Sequence, residues 1–205
     1  MKHFSTSLAV AIFSLSMTSC SQDRENEGLN SNPSLPIPTS YQNRVKSGNP
    51  LDSFNENFSS FTVTKDFKSE NGWSYINNPN DLHTYAELLQ KRDGNKAIGV
   101  INYPSGFTHS LSYLVTPQII TPSDEGVLKF GSYDTAAETK ISVGFTSSKD
   151  NMADFVELKN FTVTDSIKRY SVKIPQVVNS KYIVFRVDGY KYPSVTVIDN
   201  VTLSK

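Results

Sequence analysis

Two short segments set aromatic rings among turn-forming residues: Tyr103-Pro104-Ser105-Gly106-Phe107 and Tyr190-Lys191-Tyr192-Pro193. Rings beside proline and glycine belong in loops, where they are hard to bury. A flat aromatic face laid against the C–H groups of a sugar, with polar side chains to meet its hydroxyls, is what a carbohydrate-binding surface requires. Tyr103, Phe107, Tyr190, Tyr192 and Lys191 are therefore candidate ligand contacts, with Asn102, His109 and Asp188 as polar neighbours. The same rings would also serve as lids over the ends of a core, and the sequence leaves both readings open.

Covalent chemistry is less well provided for. No Gly-x-Ser-x-Gly elbow, His-Glu-x-x-His pair or phosphate-binding loop occurs. Glycoside hydrolysis needs two carboxyl groups about 5 to 9.5 Å apart across a cleft. Asp154 with Glu157, or Asp124 with Glu125, are the available pairs, but both fall at expected turns or edges, where solvated charges are usual. The expectation is a binding protein and not an enzyme. The histidines show no ligand spacing, which leaves zinc unsupported.

The 205 residues allow one ordinary domain with additions. Lys+Arg 20 against Asp+Glu 20 gives a formal charge of zero, without the basic surplus that nonspecific nucleic-acid binding uses. Plentiful Ser, Thr and Asn beside twelve Phe and ten Tyr lean toward β-structure with polar turns.

The elements that must position those residues begin beyond an N-terminal address. Lys2 and His3 precede the apolar run Leu8 to Met17, about half the roughly 20 residues a transmembrane helix needs, so residues 1–19 read as a signal peptide. Met17-Thr18-Ser19-Cys20 resembles a bacterial lipobox, which implies cleavage before Cys20 and acylation of that residue. Each buried methylene of such chains adds about 0.8 kcal/mol of membrane affinity. The following Ser21-Gln22-Asp23-Arg24-Glu25-Asn26-Glu27 is similar to the acidic stretch that routes lipoproteins of Bacteroidota to the cell surface. The expected location is the outer membrane of a Gram-negative bacterium. Prolines at 33, 36, 38 and 50 among Ser, Asn and Gly predict a flexible tether over residues 20–50.

Residues 51–205 read as one all-β domain of short apolar or alternating runs broken by turns. Strands are expected at 58–64, 84–90, 96–103, 111–115, 126–130, 139–146, 155–158, 169–174, 182–187 and 195–203. Turns are expected at Asp93-Gly94, Pro104 to Gly106, Pro122 to Gly126 and Asp188-Gly189.

Phe54-Asn55-Glu56-Asn57-Phe58, Gly72-Trp73, Gly94-Asn95-Lys96-Ala97, Tyr113-Leu114-Val115-Thr116-Pro117-Gln118-Ile119, Val127-Leu128-Lys129-Phe130 and Ile198-Asp199-Asn200-Val201 occur in an order and spacing that resembles the cleaved-adhesin, or choice-of-anchor J, family. The resemblance spans nearly all of 51–205 and implies a galactose-binding-like jelly-roll β-sandwich that binds a glycan or glycoprotein. It also implies a packed role for Trp73 and a structural calcium where the first and last strands meet, held by Glu56 and Asp199. Calcium takes six to eight oxygens, so Asn55, Asn57 and Asn200 would have to contribute. The chain departs from the family after Val143 to Ser148, where many members carry a Trp-bearing strand; Phe155 is the available substitute. Asp134-Thr135-Ala136 and Asp165-Ser166-Ile167 resemble the acceptor tripeptides of O-glycosylated exported proteins in Bacteroidota, pointing to Thr135 and Ser166. A second expectation, from a different class, is a structural subunit docking on another outer-membrane protein through a sheet face.

Overall fold

The computed structural model of the chain describes residues 50–77, 84–91, 94–103, 110–120, 125–136, 139–176, 180–189 and 193–204. They form strands β1 (Phe54–Glu56), β2 (Ser69–Glu70), β3 (Trp73–Asn77), β4 (Tyr85–Gln90), β5 (Lys96–Asn102) and β6 (Ser110–Val115). The second half supplies β7 (Gly126–Asp134), β8 (Lys140–Thr146), β9 (Val156–Thr162), β10 (Lys168–Ile174), β11 (Tyr182–Gly189) and β12 (Ser194–Ser204). No helix occurs among the described residues.

The strands pair antiparallel in two sheets that pack as a β-sandwich of jelly-roll type. One sheet runs β10-β7-β12-β5-β4, with β1 also on β12; the other runs β2-β3-β6-β11-β8-β9. Alternation along each strand places Ile98, Val100, Leu128, Phe130 and Ile198 of the first sheet against Trp73, Leu114, Val143, Ile183 and Phe185 of the second. Phe130 meets Phe185 edge-on at 5.0 Å and Phe161 at 5.7 Å, and stacks on Tyr170 at 5.3 Å.

β12 pairs with β7 on both sides of one extra residue. Asn200, at φ 49°, bulges between Asp199 and Thr202. The insertion flips the side-chain parity, so Ile198 before it and Val201 and Leu203 after it all point inward.

The expected strand 84–90 is present as β4, and Gly94 at φ 82° closes the hairpin that follows, with the Lys91 amide donating to the Asn95 carbonyl. The expected strand 58–64 is absent. Phe58 lies in the left-handed region at φ 59° and its carbonyl accepts from the Phe61 amide, a tight turn that sends Phe58 and Phe61 into the core. The Glu70 carboxylate then accepts from the amides of Thr62 and Val63, taking the donors a strand would use. Nor does the chain turn at Asp188-Gly189: β11 continues through both, with Gly189 opposite Ser110. The hairpin β2–β3 went unexpected although Asn71-Gly72, at φ 51° and 85°, is the type I′ pair such a connection favours.

Candidate ligand-binding face

On the β3-β6-β11-β8-β9 sheet, Tyr75, Leu114, Phe185, Ile141 and Phe161 turn toward the core. Residues of opposite parity therefore form an outward face. The register aligns one transverse row across five strands: Ile76 beside Tyr113, Tyr113 beside Arg186, Arg186 beside Ser142, and Ser142 beside Asn160.

The row is tied together by polar contacts. Arg186 Nη2 donates to Glu157 Oε2 at 2.8 Å and to Ser142 Oγ at 3.1 Å, while Asn160 Nδ2 donates to Glu157 Oε1 at 2.8 Å. These partners hold the Glu157 carboxyl below its ordinary range: the bonds to Asn160 and Ser142 lead, and the Arg186 charge adds to them. The guanidinium also lies 5.2 Å from the centroid of Phe155, whose ring meets Tyr113 edge-on at 6.1 Å. Tyr113, Arg186 and Phe155 thus make one rigid amphipathic platform.

Phe155 reaches that position because residue 144 is glycine. A Cβ on Gly144 would fall 2.2 Å from the Val156 carbonyl oxygen and 2.6 Å from a Phe155 ring carbon. The loop leading to Phe155 is pinned by Asp154, whose carboxylate accepts from Thr146 Oγ1 and, at 2.9 Å, from the Ser147 amide. Bonds from Ser147 and Thr146 lower the Asp154 pKa to about 2.

Between this loop and the sheet lies a cleft of about 330 Å³, lined by Ile76, Leu111, Tyr113 and Met152 with Asn77, Asp150, Asn151 and Ala153. That is the small end of the range for ligand pockets, ~300 to 1,000 Å³. An aromatic ring, aliphatic neighbours and a few amide and carboxylate oxygens at one rim suit a short piece of an amphipathic ligand. The Asp154 and Glu157 pair does not suit hydrolysis. Both carboxyls are held below their ordinary values by hydrogen bonds, whereas a general acid needs a raised one.

Of the residues the sequence nominated, Tyr103 follows β5 and is 50% exposed. Phe107, His109, Tyr190, Lys191 and Tyr192 lie outside the described residues. The strand ends that flank them do converge: Asn102 pairs with Ser194, and Ser110 with Gly189. Asn102 itself is not a surface contact; it is fully buried and accepts from Ser110 Oγ at 3.1 Å. Asp188 stands on the outward face of β11, between Leu111 and Lys140. Glu125 is exposed and pairs with Lys173 at 3.6 Å.

Glu56 and Asp199 both lie where β1 meets β12, as the resemblance implies, with Glu56 opposite Val201. Their carboxylates are otherwise engaged. Glu56 Oε1 accepts from the Phe58 amide at 2.6 Å, and burial raises the Glu56 pKa. Asp199 Oδ2 accepts from Lys91 Nζ at 2.5 Å and from Asn200 Nδ2 at 2.8 Å. Among the described residues no group of three or more acidic, His or Cys side chains gathers at one point. A divalent cation at Asp199 would be placed against the Lys91 ammonium, so the residues as arranged do not fit calcium, even though Asp199 Oδ1 is buried without a hydrogen-bond partner.

Thr135 and Ser166 differ in setting. Thr135 Oγ1 accepts from the Val195 amide at 2.9 Å, and the neighbouring Asp134 is fully buried and bonded to Thr196. Ser166 is exposed in the turn from β9 to β10, next to Ile167 at 73% exposure. Trp73 is packed, at 1% exposure, against Phe54 and Phe58. Met152 and Arg186 carry no local motif, and Tyr113 entered the sequence reading as part of a family-like segment and not as a site residue. Cross-strand register brings Tyr113 and Arg186 together, and the segment between β8 and β9 adds Met152.

No protein-family model matches this sequence, and no curated protein matches it. Solved structures do. The K1 and K3 cleaved adhesin domains of Lys-gingipain from Porphyromonas gingivalis W83 superpose with TM-scores of 0.58 and 0.56 at 16% and 17% identity, each covering 74% of this chain and 97% of the adhesin domain. A proposed sugar-binding protein from Bacteroides thetaiotaomicron VPI-5482 gives a TM-score of 0.50 at 16% identity, over 73% of this chain and 100% of that protein. At such identities the likeness is one of fold: this chain shares the β-sandwich of the cleaved adhesin domains.

Proposed function

We propose that the protein is a surface-exposed lipoprotein of the outer membrane whose β-sandwich binds an extracellular glycan or glycoprotein without altering it covalently. The observation that carries this reading is the platform of Tyr113, Arg186 and Phe155 beside the 330 Å³ cleft, an aromatic floor with a polar rim. The shared sandwich with adhesin domains and a proposed sugar-binding protein supports it. Cys20 carries the lipid anchor in this reading, and residues 20–50 give the reach. Tethering raises the effective concentration of a weakly binding module at the membrane. The exposed Tyr103, with Phe107, Tyr190, Lys191 and Tyr192, is the second contact region in this reading. Both acceptor residues are exposed, and Thr135 alone has its hydroxyl oxygen engaged by a strand amide, from Val195.

The test is retardation of the soluble protein, from Ser47 onward, in native gels loaded with a panel of polysaccharides and mucins. Retardation that Tyr113→Ala abolishes supports the sheet face, and loss on Tyr190→Ala or Tyr192→Ala supports the second contact region. A folded protein retarded by nothing across the panel overturns glycan binding. For the anchor, Cys20→Ser is expected to move the protein from the membrane to the soluble fraction.

A further inference from the structure

The charge inventory of the cleft points to the class of sugar it accepts, an inference that rests on the glycan reading. Asp150 is the one charged side chain among its described lining residues. Lys149 precedes it in the chain but does not line the cleft. The cation in the same transverse row, Arg186, is neutralised where it stands: Nη2 is bonded to Glu157 and Ser142, Phe155 covers the guanidinium, and Nε is buried without a partner. Among the described lining residues no cation opposes the Asp150 carboxylate field. It extends to Tyr182, where burial and then the Asp150 charge push the phenol upward. The remaining lining is one aromatic ring, aliphatic carbon and two amides, groups that meet the C–H faces and hydroxyls of a sugar and offer nothing to an anion.

We propose that the cleft between the 150–153 loop and the β3-β6 floor takes uncharged or amine-bearing sugar residues and rejects uronic-acid and sulfated ones. A carboxylate or sulfate brought within a few ångströms of Asp150 is disfavoured by about tenfold or more at a partly solvated site. An ammonium at the same place gains by a similar factor.

The experiment compares one polysaccharide in two forms. Neutral galactan, xylan, mannan and glucan are immobilised on beads, each beside the same polymer with part of its C6 hydroxyls, or for xylan its side-chain hydroxyls, oxidised to carboxylates; chitosan supplies the amine. The purified protein is expected to bind at least one neutral polymer, and to bind its oxidised form about tenfold more weakly. Asp150→Asn narrows that gap, and Tyr113→Ala removes binding to both forms. Stronger binding to the oxidised form, lost with Tyr113→Ala, overturns the proposal while leaving glycan binding intact. Neutral binding that Tyr113→Ala and Asp150→Asn both leave unchanged overturns the cleft as its seat. Binding to no polymer, by a protein whose cooperative thermal unfolding shows that it is folded, overturns the glycan reading and this inference with it.

Discussion

The Phe155 ring occupies the space where a side chain at Gly144 would stand, with 2.6 Å between a ring carbon and the absent Cβ. A glycine on β8 thereby sets the position of an aromatic residue that precedes β9, and through it the ring that meets Tyr113 beside the cleft. Gly144→Ala is expected to cost about 1 to 3 kcal/mol, the usual range for overpacking. It should also weaken glycan retention as strongly as Phe155→Ala does. Urea unfolding beside affinity electrophoresis of both variants checks this; full retention by a folded Gly144→Ala protein would show that Phe155 does not shape the site.

Lys91 and Asp199, 108 residues apart in sequence, form a partly buried ion pair that ties the end of β4 to the last strand. Because the ammonium already neutralises Asp199, the thermal midpoint should be the same in calcium and in chelator. Lys91→Ala leaves a half-buried carboxylate without its cation and should destabilise the domain by about 1 to 3 kcal/mol. Calorimetry in both buffers decides: a calcium-dependent rise in the wild-type midpoint would contradict this account.

Stability should fall in acid in a way that Asp154 makes visible. Its folded pKa of about 2 lies below the ordinary 3.8, so its contribution is complete above the ordinary value and is lost as pH drops toward about 2. Glu157 acts in the same direction, as does Glu70, where bonds from Val63 and Thr62 outweigh a desolvation that pushes upward. Glu56 acts oppositely, because burial raises its pKa and protonation relieves the desolvated charge. Asp154→Asn should be less stable than wild type at neutral pH, and the two urea midpoints should converge near pH 2. A constant gap across that window would count against the hydrogen-bonded carboxylate.

Trp73 is the sole tryptophan and is packed edge-on against Phe54 and Phe58 at 5.8 and 5.2 Å. Its fluorescence should be that of a dry site and shift to the red in one transition with the loss of β-structure. Trp73→Ala, which empties a large core volume, is expected to cost about 3 to 5 kcal/mol. Red-shifted emission from the native protein would place the ring in water and undo this packing.

Periodicity carried the fold a long way. Apolar runs over Lys96 to Asn102 and over Tyr182 to Val187 marked strands, β5 being buried along nearly its whole length, and the Gly94 turn marked a hairpin. Where reading failed, a backbone feature competed with the pattern. Phe58 to Thr64 alternates well enough for a strand, yet the positive φ of Phe58 and the Glu70 carboxylate draw it into a turn. Asn200 breaks the alternation of β12 with a bulge, and nothing local revealed that Lys91 would pair with the neighbouring Asp199.

Local sequence by itself pointed to an all-β sandwich and to the Gly94 hairpin, because side-chain alternation and turn chemistry act over two to four residues; the expected turn at Pro104 to Gly106, and Pro122 to Asp124 of the next, lie outside the described residues. It also nominated loop aromatics, since rings beside proline and glycine are conspicuous in one dimension. The binding face is a property of register. Ile76, Tyr113, Arg186, Ser142 and Asn160 come from five strands and become neighbours only when hydrogen bonds set which residue of one strand lies opposite which of the next. A slip of one residue would turn every one of them into the core. That choice is made by the burial of both sheets together, which is why only the tertiary structure could decide it.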